Sequence, residues 1–487
     1  MEVATGEDGR RRVRWPVRFE KEGWVTFEHD FPDALTHYYR PGGVDEDLLL
    51  YSGTFCLPDD DEPYEGDVRW RWGTSPRIDV RGSREPRTAD LMKFLNGMND
   101  PGLWVNTNEI GIELPSGHLP PQPIELAGQS ADDLSSIGLT VEQQLGDASN
   151  LERVTFLLPN GWQGEGWGIC EPGEPTTTWQ GRTVAEGGGW TVTLDRRREM
   201  TGREAWKDLK NRRGQQFTHV GELRRTDGSV FTGEDAFDAL DRVRLGLNLA
   251  LGRRTTCALP VGYWQGDPTW CRWRSAPVDS YQNSTQWLDE TVADQQVVEL
   301  LGLVLNLTVD DADLTALRYA LGYYIAGNVD VNVDLTVSIP VSGLQLLAYY
   351  RFMTQRQDYS HTAWKKLDTE VQVRLLLDDI GVDTDVKPHF AHLEAARARI
   401  STPQKNRDAL GAVMKMRNVV THPTRESPTM FSIYELAEAG MHARYWLCLA
   451  LLNTIGYVGP IAMVHQEKTR WVGQVHNPPW VARITVA

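Results

Sequence analysis

Residues 415–423 read K-M-R-N-V-V-T-H-P, and three side chains in that run could carry chemistry together. The guanidinium of Arg417 is permanently charged and forks onto phosphate oxygens. It can hold the charge that builds on a phosphoryl transition state. The imidazole of His422 can take or give a proton near neutrality, its free pKa being about 6.5. In RNA the 2′-hydroxyl is a nucleophile already placed beside the phosphate. A base to deprotonate it and a cation to hold the phosphorane are enough, so this chemistry calls for no metal and no cofactor. The amide of Asn418 would orient His422 or the substrate. Lys415 and Arg407 are candidates for outer RNA-phosphate contacts. The plainer reading is that Arg and His near a helix C-terminus only complement the helix dipole.

The element that must position these groups is a helix over "QKNRDALGAVMKMRNVVT". Pro423 disfavours the helical conformation for His422. On an unbroken helix, side chains five apart diverge by about 140°. Ending the helix at His422 frees the imidazole to turn back toward the guanidinium. The surrounding sequence, from Val341 to Pro460, reads as all-helical. "SGLQLLAYYRFMTQ", "TAWKKLDTEVQVRLLLDDI", "KPHFAHLEAARARI" and "SIYELAEAGMHARYWLCLALLNTI" are apolar or amphipathic at helical spacing. Four or five helices with short connections predict an antiparallel bundle.

An arginine followed by a polar residue, with a histidine a few positions on, at the end of a helix in such a bundle, resembles the HEPN family. Arg417, Asn418 and His422 carry that resemblance, which covers roughly residues 341–460. It implies a metal-independent endoribonuclease that leaves a 2′,3′-cyclic phosphate. It also implies a homodimer or higher homo-oligomer, because HEPN sites usually need two bundles face to face. A β-rich acidic region ahead of such a bundle is loosely similar to the layout of ApeA-type proteins of bacterial anti-phage defence. The helix "RVRLGLNLALGRRT" leading into strands adds to that second likeness.

The rest of the 487-residue chain reads as an α+β multidomain protein. Residues 1–230 form a β-rich N-terminal domain, a sandwich or barrel-like fold. Short Val-, Thr- and aromatic-rich runs such as "GWVTFEHD", "DLLLYSGTF", "GLWVNTNEIGIEL", "ERVTFLLP" and "GWTVTLDR" are bounded by Gly, Pro and Asp. "GIELPSGHLPPQPIELAGQSADD" reads as a long surface loop. Residues 231–340 read as a mixed α/β middle region. There "GEDAFDALDRVRLGLNLALGRR" is a helix, another begins near Ser284, and "DADLTALRYALGYYIAGN" is a third with Asp311 as its N-cap. "VDVNVDLTVSIP" alternates as a strand or extended connector would. Residues 461–487 form an extended tail.

The formal charge of −17 argues against sequence-blind coating of nucleic acid. The stretch Val341–Pro460 is slightly basic, so the acidic excess lies outside the region holding the motif. Cys56, Cys170, Cys257, Cys271 and Cys448 are scattered and odd in number, which speaks against a disulfide framework or a zinc site. No apolar run reaches membrane-spanning length and the first residues lack a signal core, so a cytoplasmic protein is expected.

Two tryptophan–arginine runs, Arg69-Trp70-Arg71-Trp72 and Trp270-Cys271-Arg272-Trp273-Arg274, read as strands with a buried aromatic face and a solvated basic one. The alternative is a stacking platform for nucleic acid. "GWQGEGWGIC" reads as a turn-rich loop and the acidic runs at 59–67 and 309–314 as a solvated loop and a helix cap. His361, His389, His392 and His442 read as surface or packing residues. The functional expectation is a HEPN-type RNase with RNA as substrate, whose N-terminal region senses or restrains. A phage-derived or small-molecule trigger and an abortive-infection role go with it. The alternative is a dimerising, ligand-sensing protein without catalysis. The two differ in whether His422→Ala and Arg417→Ala remove an RNA-cleaving activity that survives EDTA.

Overall fold

The computed structural model describes residues 2–5, 11–19, 23–29, 31–57, 60–73, 76–83, 125–129, 136–282, 287–289, 291–308, 312–329, 332–387, 389–403, 405–422, 430–462 and 474–481. The expected strand at 102–114 and the Asp311 cap lie outside them. The chain divides into two compact units, residues 1–241 with 255–282, and residues 242–254 with 283–487.

The first unit is built on an antiparallel sheet of twelve described strands. Its order runs Trp167–Glu171, Glu174–Gly187, Trp190–Arg196, Phe217–Arg225, Arg153–Pro159, Ala258–Trp264, Asp267–Trp273, Ser136–Gly146, Arg77–Ser83, Asp60–Arg71 and Leu48–Leu57, with Glu125–Gln129 beside Ser136–Gly146. Among the described residues the first strand of this order, Trp167–Glu171, does not pair with Leu48–Leu57, and the sheet does not close into a barrel. One apolar cluster joins its last strands to its middle: Phe55, Val68, Trp70 and Ile78 pack with Leu157, Phe217, Val261 and Trp273. Gly188 and Gly189, with φ of 57° and 75°, make the two-residue turn before Trp190, a conformation that side chains with a Cβ resist. A separate three-stranded sheet comprises Glu2–Thr5, Arg11–Phe19 and Gly23–His29.

The two tryptophan–arginine runs are structural. Trp70 is fully buried, while Arg69 pairs with Asp67 and Arg71 with Asp47 and Asp79. In the second run Trp270 and Trp273 are an odd number of positions apart and therefore lie on opposite faces, yet both are buried. Cys271 and Trp273 join the main cluster, whereas Trp270 lies against Gly233 and Gly262. Arg272 and Arg274 both sit over the ring of Phe237, the first half-buried and the second exposed. The sheet is covered on both sides there, and simple alternation did not anticipate that.

Several readings of local structure need correction, among them the acidic run at 59–67, read as a solvated loop, where the strand Asp60–Arg71 begins. Residues 125–129, read as loop, form a strand against Ser136–Gly146. The helix expected from Ser284 starts at Ala293, because Asp289 turns the preceding chain by accepting from Thr291 N and Thr291 Oγ1. "VDVNVDLTVSIP" is neither strand nor connector: a helix runs Val333–Tyr349 through Pro340 and continues as a π-turn over Tyr350–Gln355. Val337, Val341, Leu344 and Ala348 fall on one buried face at helical spacing, and that packing overrides the β-branched composition. The expected boundary at 341 therefore falls inside a helix. The middle region 231–340 is shared out, its strands going to the sheet unit and its later helices to the second unit.

The second unit is helical: Ala293–Asn306, Ala312–Asn328, Val333–Tyr349, Thr369–Asp379, Ala391–Ile400, Ala409–Thr421 and Ile433–Thr454. The last of these is its axis. It approaches Val333–Tyr349 so closely that a Cβ on Gly440 would stand 2.5 Å from Thr336 Oγ1, and one on Gly343 2.8 Å from Leu447. Ser432 and Glu435 form a capping box at its start. The described part of the tail is held by pairing of Val475–His476 with Ile461–Ala462 and by Trp480 Nε1 donating to Tyr457 O. Among the described residues no helix is long and apolar enough to cross a membrane.

Candidate functional site

The motif helix, Ala409–Thr421, is fixed at its start by Asp408. That carboxylate caps the helix by accepting from Gly411 N at 2.8 Å. It also receives Arg374 Nη1 at 2.6 Å, Arg374 Nη2 at 3.0 Å and Thr384 Oγ1 at 2.7 Å. Burial alone would raise its pKa, but these donors outweigh burial and hold it at about 2. Leu410, Ala412, Val413 and Met416 are buried, so the helix is locked in rotation and its remaining face is decided.

That face carries the motif. Lys415 and Arg417 are half-buried, while Asn418 and His422 are exposed. The helix stops at Thr421, as the proline rule predicts, and His422 adopts φ −128° and ψ 69°. Its amide still donates to Asn418 O at 2.9 Å, and Thr421 Oγ1 donates to Arg417 O at 2.9 Å, so both of these carbonyls have a donor. Arg417 Nη1 donates to Asn418 Oδ1 at 3.2 Å. Asn418 thus steers the guanidinium rather than the imidazole, which makes no hydrogen bond among the described residues.

Arg417 differs in its electrostatics from six arginines of this unit that are paired with acids, and among the described residues it shares the lack of an acid with Arg444, which is held by Gly327 O. Arg351 and Arg356 pair with Asp379, Arg374 with Asp408, Arg397 with Glu394, Arg399 with Glu435 and Arg407 with Glu370. Neither Arg417 nor Lys415 has a carboxylate partner among the described residues, and Arg417 Nε is buried without an acceptor. Among the described residues Arg417 is thus a cation without an acid, five positions before an exposed imidazole, and such a guanidinium is receptive to an anion.

Arg407 is not part of that arrangement. It lies at the opposite end of the helix, about 15 Å away along the axis at 1.5 Å per residue, and donates to Gly411 O at 3.2 Å. It lines a polar cleft of about 710 Å³ with Glu370, Arg374, Arg397, Lys405 and Asp408. There the guanidiniums are engaged by neighbouring carboxylates, which leaves the cleft a self-compensated network. His442, read from the sequence as a surface or packing residue, is buried, with a pKa lowered to about 4 by burial and by the nearby His389 and Lys387. Its place in the middle of an apolar helical run was the signal that could have marked it.

Cys170, Cys257, Cys271 and Cys448 form no disulfide among the described residues. No group of three or more His, Cys, Asp or Glu suited to a metal ion occurs among the described residues.

Residues 146–284 match the YopA central domain and residues 310–476 the YopA C-terminal domain. The first match ends close to Gln282, where the sheet unit ends, and the second contains the whole motif helix. Over 461 residues the chain is 22% identical to the SPbeta prophage-derived protein YopA of Bacillus subtilis (strain 168). That similarity covers 92% of this chain and 99% of the relative. No solved structure matches.

Proposed function

We propose that the helical unit is a HEPN-like bundle and that the chain is a metal-independent endoribonuclease, active as a homodimer. One observation carries this reading: among the described residues Arg417 has no carboxylate partner, and it stands five positions before an exposed His422 at a helix end, in a unit where the six arginines named above are paired with acids. In the reaction His422 removes the proton from a 2′-hydroxyl. The oxygen attacks the adjacent phosphorus, the P–O5′ bond breaks, and the 5′-oxygen takes a proton from the imidazolium of the second copy. The product ends are a 2′,3′-cyclic phosphate and a 5′-hydroxyl. Arg417 stabilises the phosphorane, Asn418 holds the guanidinium in register, and Lys415 adds an outer contact.

The prophage origin of the YopA relative supports a setting in conflict between phage and host. In that setting the chain acts in abortive infection, and the sheet unit senses a phage-derived or small-molecule trigger or restrains the nuclease. A second reading, a dimerising ligand sensor without catalysis, is favoured by the aromatic pocket described below. Incubating the full chain with total RNA in EDTA separates them. Cleavage by wild type that is lost in Arg417→Ala and His422→Ala supports the nuclease. Equal inactivity of all three, with no growth arrest specific to wild type on expression, supports the sensor.

A further inference from the structure

The helix Ile433–Thr454 and the turn after Thr369–Asp379 enclose a second cavity, of about 260 Å³, away from the motif. Its floor is apolar: Val382, Trp446 and Leu449 line it and all are buried. His442 and Tyr445 form its walls. The rings at and behind it already pack in a series of tilted contacts, with centroids 4.3 Å apart for His389 and Phe390, 4.4 Å for Phe390 and His442, and 5.4 Å for His442 and Trp446. A flat ring entering the cavity would extend that series.

The charge at the two ends of the cavity differs. Inside, burial keeps His442 neutral at physiological pH, and an entering charge would meet the same desolvation. At the rim Lys387 is taken up by Asp383, whereas the carboxylate of Asp385, which also borders the polar cleft, feels the field of Arg397 but makes neither hydrogen bond nor ion pair among the described residues. The rim is therefore net negative with one carboxylate open. Phosphate or carboxylate substituents are repelled there, and an ammonium is attracted.

We propose that this pocket binds an aromatic amine: an uncharged flat ring against Trp446 and His442, with its ammonium outside on Asp385. The proposal does not depend on RNA cleavage. Isothermal titration of the full chain with tryptamine, indole and indole-3-acetate tests it. Tryptamine should bind once per chain, roughly three- to fivefold tighter than indole, the range of a partly exposed ion pair, and indole-3-acetate should bind more weakly than indole. Asp385→Asn should bring tryptamine down to the level of indole and leave indole unchanged. Leu449→Trp, checked for folding by its thermal melt, should remove both. The proposal is overturned if neither tryptamine nor indole binds, if indole-3-acetate matches tryptamine, or if Asp385→Asn keeps the preference. Should Leu449→Trp fail to fold, Asp385→Asn decides alone, since its side chain stands at the exposed rim.

Discussion

Mild acid should destabilise the sheet unit through His37. Its Nδ1 accepts from Tyr39 N at 3.1 Å and its Nε2 donates to Leu259 O at 3.0 Å, so both ring nitrogens are used in the neutral form. A second proton on Nδ1 would face an N–H donor. Burial lowers the pKa of this imidazole to about 4, against 6.5 when exposed. The sign follows from which state binds the proton. Above about pH 6.5 neither state is protonated and stability is unaffected. Between about 6.5 and 4 only the unfolded chain takes the proton, so stability falls by about 1.4 kcal/mol per pH unit. From pH 7.5 to 5.0 the loss is about 2 kcal/mol for His37. His219, lowered to about 3 by burial and the nearby Arg196, adds a similar loss over the same interval. Hydrogen exchange of the strands Arg153–Pro159 and Ala258–Trp264, corrected for intrinsic rates, reads this unit alone. Wild type should lose about 4 kcal/mol of opening free energy over the interval, and His37→Asn about half of that. Unchanged protection between the two pH values, or the same loss in the variant, would refute the reasoning.

Three further outcomes are expected. Asp408→Ala should cost about 2 kcal/mol at neutral pH, roughly half from the lost cap and half from the screened ion pair with Arg374. Because that carboxylate's pKa is depressed, the difference should vanish in urea melts taken as pH falls through about 2. Gly440→Val should destabilise the helical unit by about 1 to 3 kcal/mol, since the added carbon meets both the side chain and the backbone of Thr336; an unchanged melting temperature would contradict that packing. Arg417→Lys keeps the charge but not the fork, so RNA cleavage should fall by about tenfold or more and not vanish as in Arg417→Ala.

Much of this architecture could be read from residue order. The β-rich runs that lie among the described residues, such as Arg153–Pro159 and Trp190–Arg196, are strands, and helical spacing found the motif helix and its stop before Pro423. What escaped was decided by distant contacts. The helix through Pro340 forms because Ile433–Thr454 covers its apolar stripe, which no local propensity encodes. Trp270 and Trp273 both find cover because the sheet is packed on both faces. The site divides the same way. Residue types named Arg417 and His422, but only the fold tells that Glu370 occupies Arg407 while no described acid reaches Arg417. The aromatic pocket draws on Val382, His442, Trp446 and Pro479, which no short stretch of sequence brings together.

The most direct measurement is the chemistry of the cut ends. RNA incubated with the purified chain in EDTA would be analysed for its 3′ termini, with His422→Ala and Arg417→Ala in parallel. The account predicts 2′,3′-cyclic phosphates from wild type and none from either variant. Linear 3′-hydroxyl ends, a requirement for added divalent metal, or undiminished cleavage by either variant would contradict it.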